Sequence, residues 1–278
     1  MRQQRFCSLV LAALFLAPLL IAAPEALRAH THEGVVYTSD QTWSGNMSLD
    51  EDVVIASGAT LLIESGTYIN VTEDITITIQ GNLQIQGTTE DPVTIWGSWF
   101  AENSVQARWQ GFLLDSGSVT SVLHAMISDS RGGFDAESGA SLTIESTHFT
   151  DSMIGVWNKG SMTGAGFECQ SATTTCLRVD GTANLDTVTS SNSAGVVHIA
   201  NGGDATIDLI ESDLDSDVLV LDGGSTYSGE IQAAGFTRMI RASDSVTATV
   251  TPIATGSGET LVDATMVDGL ELINGNST

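Results

Sequence analysis

Leu177-Arg178-Val179-Asp180-Gly181, Val197-His198-Ile199-Ala200-Asn201-Gly202 and Leu219-Val220-Leu221-Asp222-Gly223 give one pattern three times within residues 177–223. Apolar residues stand at alternate positions, and each run closes on a turn rich in Gly, Asn or Asp. A period of two is that of an extended strand, so Leu177/Val179, Val197/Ile199 and Leu219/Leu221 face one way while Arg178, His198 and Val220 face the other. The runs recur after 20 to 22 residues, which is too short for a globular domain and suits one coil of a solenoid. Stacked coils would bury the apolar column and pair every strand with the coils above and below, at about 4.8 Å per coil.

The same period extends in both directions. Units begin near Ser118, Ala140, Met162, Ala183, Ala205, Thr226 and Val246, and a second inward row is read in Leu142/Ile144, Ala183/Leu185 and Ile207/Leu209. Towards the N-terminus, Val53-Val54-Ile55, Ala59–Gly66, Tyr68–Val71, Ile75–Ile79, Leu83–Ile85 and Val93–Trp96 keep the alternation. β-Branched residues and frequent glycine turns, with no sustained helical period, predict an all-β chain of about nine coils.

Residues 1–29 read as a secretory signal: a basic Met1–Arg5, an apolar run over Leu9–Ala23, and small residues permitting cleavage after Ala23 or Ala29. The run holds Pro18 and no later stretch is long enough for a span, so no transmembrane segment is expected once the signal is removed. Residues 30–52 are expected as an irregular lead-in or cap, 53–273 as the solenoid with an insertion at 98–116, and 274–278 as a tail. The insertion carries Trp99, Phe100 and Trp109, and these aromatics are read as cover for the core or as a ligand platform.

Without the signal the chain has six basic and 33 acidic residues, a net charge of −27, and Lys159 as its one lysine. Such a surface excludes nucleic acid as a partner and suits salty surroundings that screen self-repulsion. Cys169 and Cys176 are the remaining thiols in an oxidising compartment, so a short-range structural disulfide is expected.

The runs Trp43–Asn46, Val53–Ile55, Gly58–Thr67, Leu83–Thr88 and Trp109-Gln110-Gly111 resemble the opening coils of secreted right-handed parallel β-helix proteins of the pectate-lyase-like superfamily. They are most similar to exported archaeal and bacterial surface proteins of unassigned function. The resemblance implies a right-handed single-stranded parallel β-helix. It also implies, for a polysaccharide lyase, acidic Ca²⁺ ligands beside an Arg or Lys; Asp129 and Arg131, with Asp151 one coil later, form the best such cluster. A β-helix glycoside hydrolase would need close carboxylates acting as acid and base, but that family's Asn-Thr-Asp, Asp-Asp and Arg-Ile-Lys signatures are absent.

Asp213, Asp215 and Asp217 alternate with other residues and are weak Ca²⁺ candidates; Val218 and Gly224 break an EF-hand reading of that run. No serine-hydrolase elbow, zinc-protease helix or phosphate loop occurs. Asn46, Asn70 and Asn276 begin N-glycosylation sequons. The sequence therefore predicts a noncatalytic extracellular or cell-surface protein that requires no cofactor and contacts surface glycans, or another copy through its C-terminal end. The alternative is a carbohydrate-active enzyme on an extracellular polysaccharide.

Overall fold

The computed structural model describes residues 34–98, 100–101, 105–106, 108–265 and 269–273. Residues 1–29, expected as a signal, Trp99 and the tail 274–278 lie outside them, as do the side chains of residues 99–107. The described chain is an all-β solenoid of roughly ten turns, built from two parallel sheets. Sheet I stacks eleven strands, from Val35–Tyr37 and Val53–Ile55 at one end to Arg238–Ser243 and Thr260–Thr265 at the other. Sheet II holds sixteen. In its early coils two short strands meet at a corner, as Val119–Leu123 and Ala125–Ser128 do, whereas from Ser161–Gln170 onward one long strand covers both arms.

The alternation places side chains as read. Leu177, Val179, Val197, Ile199, Leu219 and Leu221 are buried, and Arg178, His198 and Val220 stand outward in one register column. Leu209 departs from the pattern. The pairing with Thr226–Ala234 shifts register between Ile207 and Leu209, so Leu209 turns half outward and Ile210 takes the core position. Within the expected irregular lead-in 30–52, the described residues 34–52 are instead ordered into strands: Val35–Tyr37, Gln41–Trp43 and Asn46–Leu49 already form the first coil, pairing with the next. Their polar outward residues hid the alternation. The insertion is shorter than expected, because Phe100–Ala101 pairs with Val105–Gln106 as an antiparallel hairpin and the coil resumes with Trp109–Leu114.

One corner explains much of the sequence. Asp129, Asp151, Ser171, Asn192, Leu214 and Gly235 occupy equivalent positions in successive coils, all in the left-handed region with φ of 53 to 67°. Each N–H donates to a carbonyl of the next coil, as Asp129 does to Thr150 at 3.2 Å and Asn192 to Asp213 at 3.0 Å. Gly, Asn and Asp adopt that conformation most readily, whereas Leu214 holds it at a steric cost. The following residues, Ser130, Ser152, Ala172, Ser193, Asp215 and Phe236, all point inward and are buried.

Behind this corner the core contains a continuous aromatic row, with centroid separations of 5.6 Å for Trp109–Phe112, 5.0 Å for Phe112–Phe134, 6.1 Å for Phe134–Phe149 and 5.4 Å for Phe149–Phe167. The stack needs tight backbone on its sheet I side. At Gly111, φ is +103° and a Cβ would lie 1.5 Å from the Gly132 carbonyl oxygen, so only glycine fits.

Candidate functional site

The corner column brings Asp129 and Asp151 together in adjacent coils. Burial is the main cause that raises the Asp129 carboxyl above its ordinary range, with the Asp151 charge adding to it; Ser128 and Arg108 oppose the shift. Ser128 Oγ donates to Asp129 Oδ2 at 3.0 Å. The guanidinium found here belongs to Arg108, whose Nε donates to the Asp151 carbonyl at 2.8 Å. Arg131 instead lies past the corner, in sheet I, 4.0 Å from Asp74. Adjacency along the chain suggested Arg131, but the intervening Ser130 turns into the core and carries the chain onto another face. The pair of carboxyls, one held toward its neutral form, has the composition of an acid and a base. Both residues are nonetheless accounted for by the left-handed corner, where their near-equivalents are Ser171 and Asn192.

Of the aromatics expected near the insertion, Trp109 has no exposed surface, and its Nε1 donates to the Ser128 carbonyl at 3.0 Å. It begins the aromatic row and offers no face to a ligand. Trp99 and the Phe100 side chain lie outside the described residues. Sequence reading passed over Trp157, which stands half buried on the outer face of sheet I. Its ring has Lys159 Nζ at 4.2 Å and Arg178 Cζ at 4.7 Å, and its Nε1 donates to Asp180 at 2.9 Å. Lys159 in turn lies 2.9 Å from Asp135 and 2.6 Å from Glu137. These pairings occupy both cations and tie three coils together.

The three aspartates read as weak calcium candidates meet three different environments. Asp213 is exposed on sheet II, and Asp217 is paired with Arg238 at 2.7 Å and Arg241 at 3.8 Å. Asp215 is buried among serines: Oδ1 accepts from Ser193 N at 2.6 Å and Ser190 Oγ at 3.1 Å, and Oδ2 accepts from Ser212 Oγ at 2.7 Å. Burial raises the Asp215 carboxyl despite these donors. The alternation was broken by the left-handed turn at Leu214, which sends Asp215 inward. Among the described residues no group of three or more His, Cys, Asp or Glu stands together as a metal-holding set.

Cys169 and Cys176 form a disulfide with a Cα separation of 5.8 Å. It lies in the core rather than on a surface loop. Cys169 belongs to sheet II and Cys176 to sheet I, so the bond joins the sheets across the corner of one coil. Cys169 occupies the register position that Phe149 fills in the preceding coil.

Compared with known proteins, the chain matches no family model, no curated protein and no solved structure.

Proposed function

We propose that the chain is a noncatalytic extracellular or cell-surface β-helix, right-handed like the exported archaeal and bacterial proteins it resembles, that works by contact with glycans or with another protein. The outward face of sheet II carries this reading. Ser161/Thr163, Thr182/Asn184, Asp204/Thr206, Thr226/Ser228 and Thr247/Thr249 form two register columns through successive coils; all but Thr249 are exposed, and all but Asp204 are uncharged. Hydroxyls and amides held at the strand spacing of about 4.8 Å suit an extended, polyhydroxylated partner. The basic-then-apolar segment over residues 1–29 supports export, and the corner geometry gives Asp129 and Asp151 a structural reason to be where they are.

Expression with the native leader tests both halves of the reading. The exported product should begin at Pro24 or His30, and incubation with polyuronides and neutral polysaccharides, with and without Ca²⁺, should give binding without new chain ends. Product formation that disappears in Asp129→Ala would replace this reading with the enzymatic one. A second copy is the protein partner proposed, at the end where Leu261, Leu272 and Ile273 are 45 to 47% exposed on or beside the last strands of the two sheets; sedimentation should then show association that Leu261→Asp abolishes.

A further inference from the structure

We infer that the N-terminal coils carry a binding subsite for an uncharged pyranose sugar, built by Tyr68, Asn70 and Trp96 on the outward face of sheet II. The inference rests on the glycan-contact reading above and gives it a place and a sugar class. Strands Asn46–Leu49, Tyr68–Val71 and Val93–Gly97 stack in parallel, with Asn46, Tyr68 and Thr94 in one column and Ser48, Asn70 and Trp96 in the next. Ile69, Val71, Val93 and Ile95 fill the inward positions with no exposed surface, which fixes the others outward.

Tyr68 is 40% exposed, and its ring stands 6.1 Å from that of Trp96 at an angle of 47°. Beside it runs a shallow groove of about 580 Å³ bordered by Asn46, Met47, Ser48, Tyr68 and Asn70. An aromatic wall with a few amides and hydroxyls is the usual lining of a small-ligand site, and an exposed tyrosine ring offers the flat apolar face on which the C–H side of a pyranose rests.

Two polar atoms at this place are unexplained by the fold. Asn70 Oδ1 and Trp96 Nε1 are shielded from water and have no hydrogen-bond partner. Such groups are rare in native structures and costly to leave unpaired. Here one is an acceptor and the other a donor, on residues that are register neighbours in adjacent strands. A sugar hydroxyl both donates and accepts, so one hydroxyl or a neighbouring pair would satisfy both. Because the atoms are shielded, entry of the sugar requires a side-chain rotation at Trp96, which its fluorescence would report.

Charge selects the class of sugar. Along these two columns Asn46, Tyr68, Thr94 and Met126, and Ser48, Asn70, Trp96 and Ser128, are all uncharged; in the first column His148 follows one coil later and Glu168 two coils later. Among the described residues no lysine or arginine belongs to these two columns to pair with a uronate or sulfate, and the acidic remainder of the protein repels one.

The test uses the mature chain made in a host without N-glycosylation, because Asn46 and Asn70 begin sequons and a sugar attached there would fill the groove. Mannan-, cello- and xylo-oligosaccharides and oligogalacturonate are titrated while tryptophan fluorescence and heat are recorded. At least one neutral series should bind with a dissociation constant of about 1 mM or below, and oligogalacturonate should not. Tyr68→Ala should weaken binding about tenfold or more, and Trp96→Phe, which keeps a ring and deletes the donor, about five- to tenfold, on the scale of one hydrogen bond. Both variants should keep the β-helix circular dichroism spectrum. Absence of neutral-sugar binding, equal binding of oligogalacturonate, or affinity unchanged in both variants would overturn the subsite. Cleavage of a bound oligosaccharide would overturn the noncatalytic reading alone.

Discussion

Tyr227→Phe should stabilise the solenoid. Tyr227 is 1% exposed and points into the core in register between Ala205 and Ala248, two small residues that leave room for its ring. Its hydroxyl is buried without a partner, close against the backbone at Gly229, where a Cβ would come within 2.7 Å of the oxygen. A buried unpaired hydroxyl costs about 1–3 kcal/mol, and removing it leaves a gap smaller than a methyl group. The net gain expected is about 1–2 kcal/mol, or about 4 °C in midpoint for a chain of this size. A pH series separates this from a packing effect. Burial, with the Asp208 charge adding to it, pushes the Tyr227 phenol far above its ordinary value. A folded-state pKa raised above the unfolded one gives stability that is complete below about pH 10 and is lost as pH rises beyond it. Lys159 is also raised, but it is common to both proteins and cancels in the comparison. The advantage of the Phe variant should therefore hold from pH 6 to 9 and widen at pH 11. Urea unfolding followed by tryptophan fluorescence reads both. A variant less stable than the parent at pH 7, or a difference that stays flat to pH 11, would refute the accounting.

Leu214→Asn should raise the thermal midpoint by about 3 °C, since Leu214 holds φ = 60° while 64% exposed and relief of left-handed strain is worth about 1 kcal/mol; calorimetry would show it, and a fall would mean that Leu214 packing outweighs backbone strain. Replacing Cys169 and Cys176 by Ser together should cost about 2 kcal/mol on the loop-entropy scale for so short a closure. The loss should be matched by the parent protein in reductant, with both measured by denaturant titration. Raising NaCl from 50 mM to 2 M should increase the midpoint, because the net charge of −25 opposes folding when unscreened; a midpoint independent of salt would show the acids to be locally compensated.

The sheet I strands were legible because Leu177/Val179 and its equivalents carry both period and spacing, and the inward positions follow from alternation alone. The polar corner was not. Asp129 and Asp151 read as a candidate cluster with Arg131, whereas register places them in one left-handed column with Asn192 and Gly235. The misassignment of Arg131 has the same origin, since one residue separates it from Asp129 in sequence and a corner separates them in space. The aspartate run 213–217 likewise read as an edge of carboxylates, whereas one left-handed residue, Leu214, distributes its members between solvent, core and an ion pair. Tyr68, Asn70 and Trp96 gave no motif, because outward residues of adjacent coils meet only through a register that spans more than twenty residues.

Register also sorts the charge. In a parallel stack each side chain lies against its equivalents one coil away, so like charges in one column repel at close range. Every described arginine, and Lys159, falls in a sheet I strand or directly beside one: Arg108, Arg131, Lys159, Arg178, Arg238 and Arg241. There they interrupt the acids. Lys159 lies between Glu137 of the coil before and Asp180 of the coil after, and Arg238 bridges Asp217 and Asp263. Among the described residues the outward columns of sheet II receive no lysine or arginine, and their charges are carboxylates such as Glu64, Glu145, Glu168, Asp204, Glu211 and Asp213. An anionic polymer is therefore repelled by one face and met on the other by cations already paired. The uncharged coils around Tyr68 and the hydroxyl-lined arm of sheet II are the surfaces on which approach costs least electrostatically, which is why a neutral glycan is the partner this charge arrangement favours.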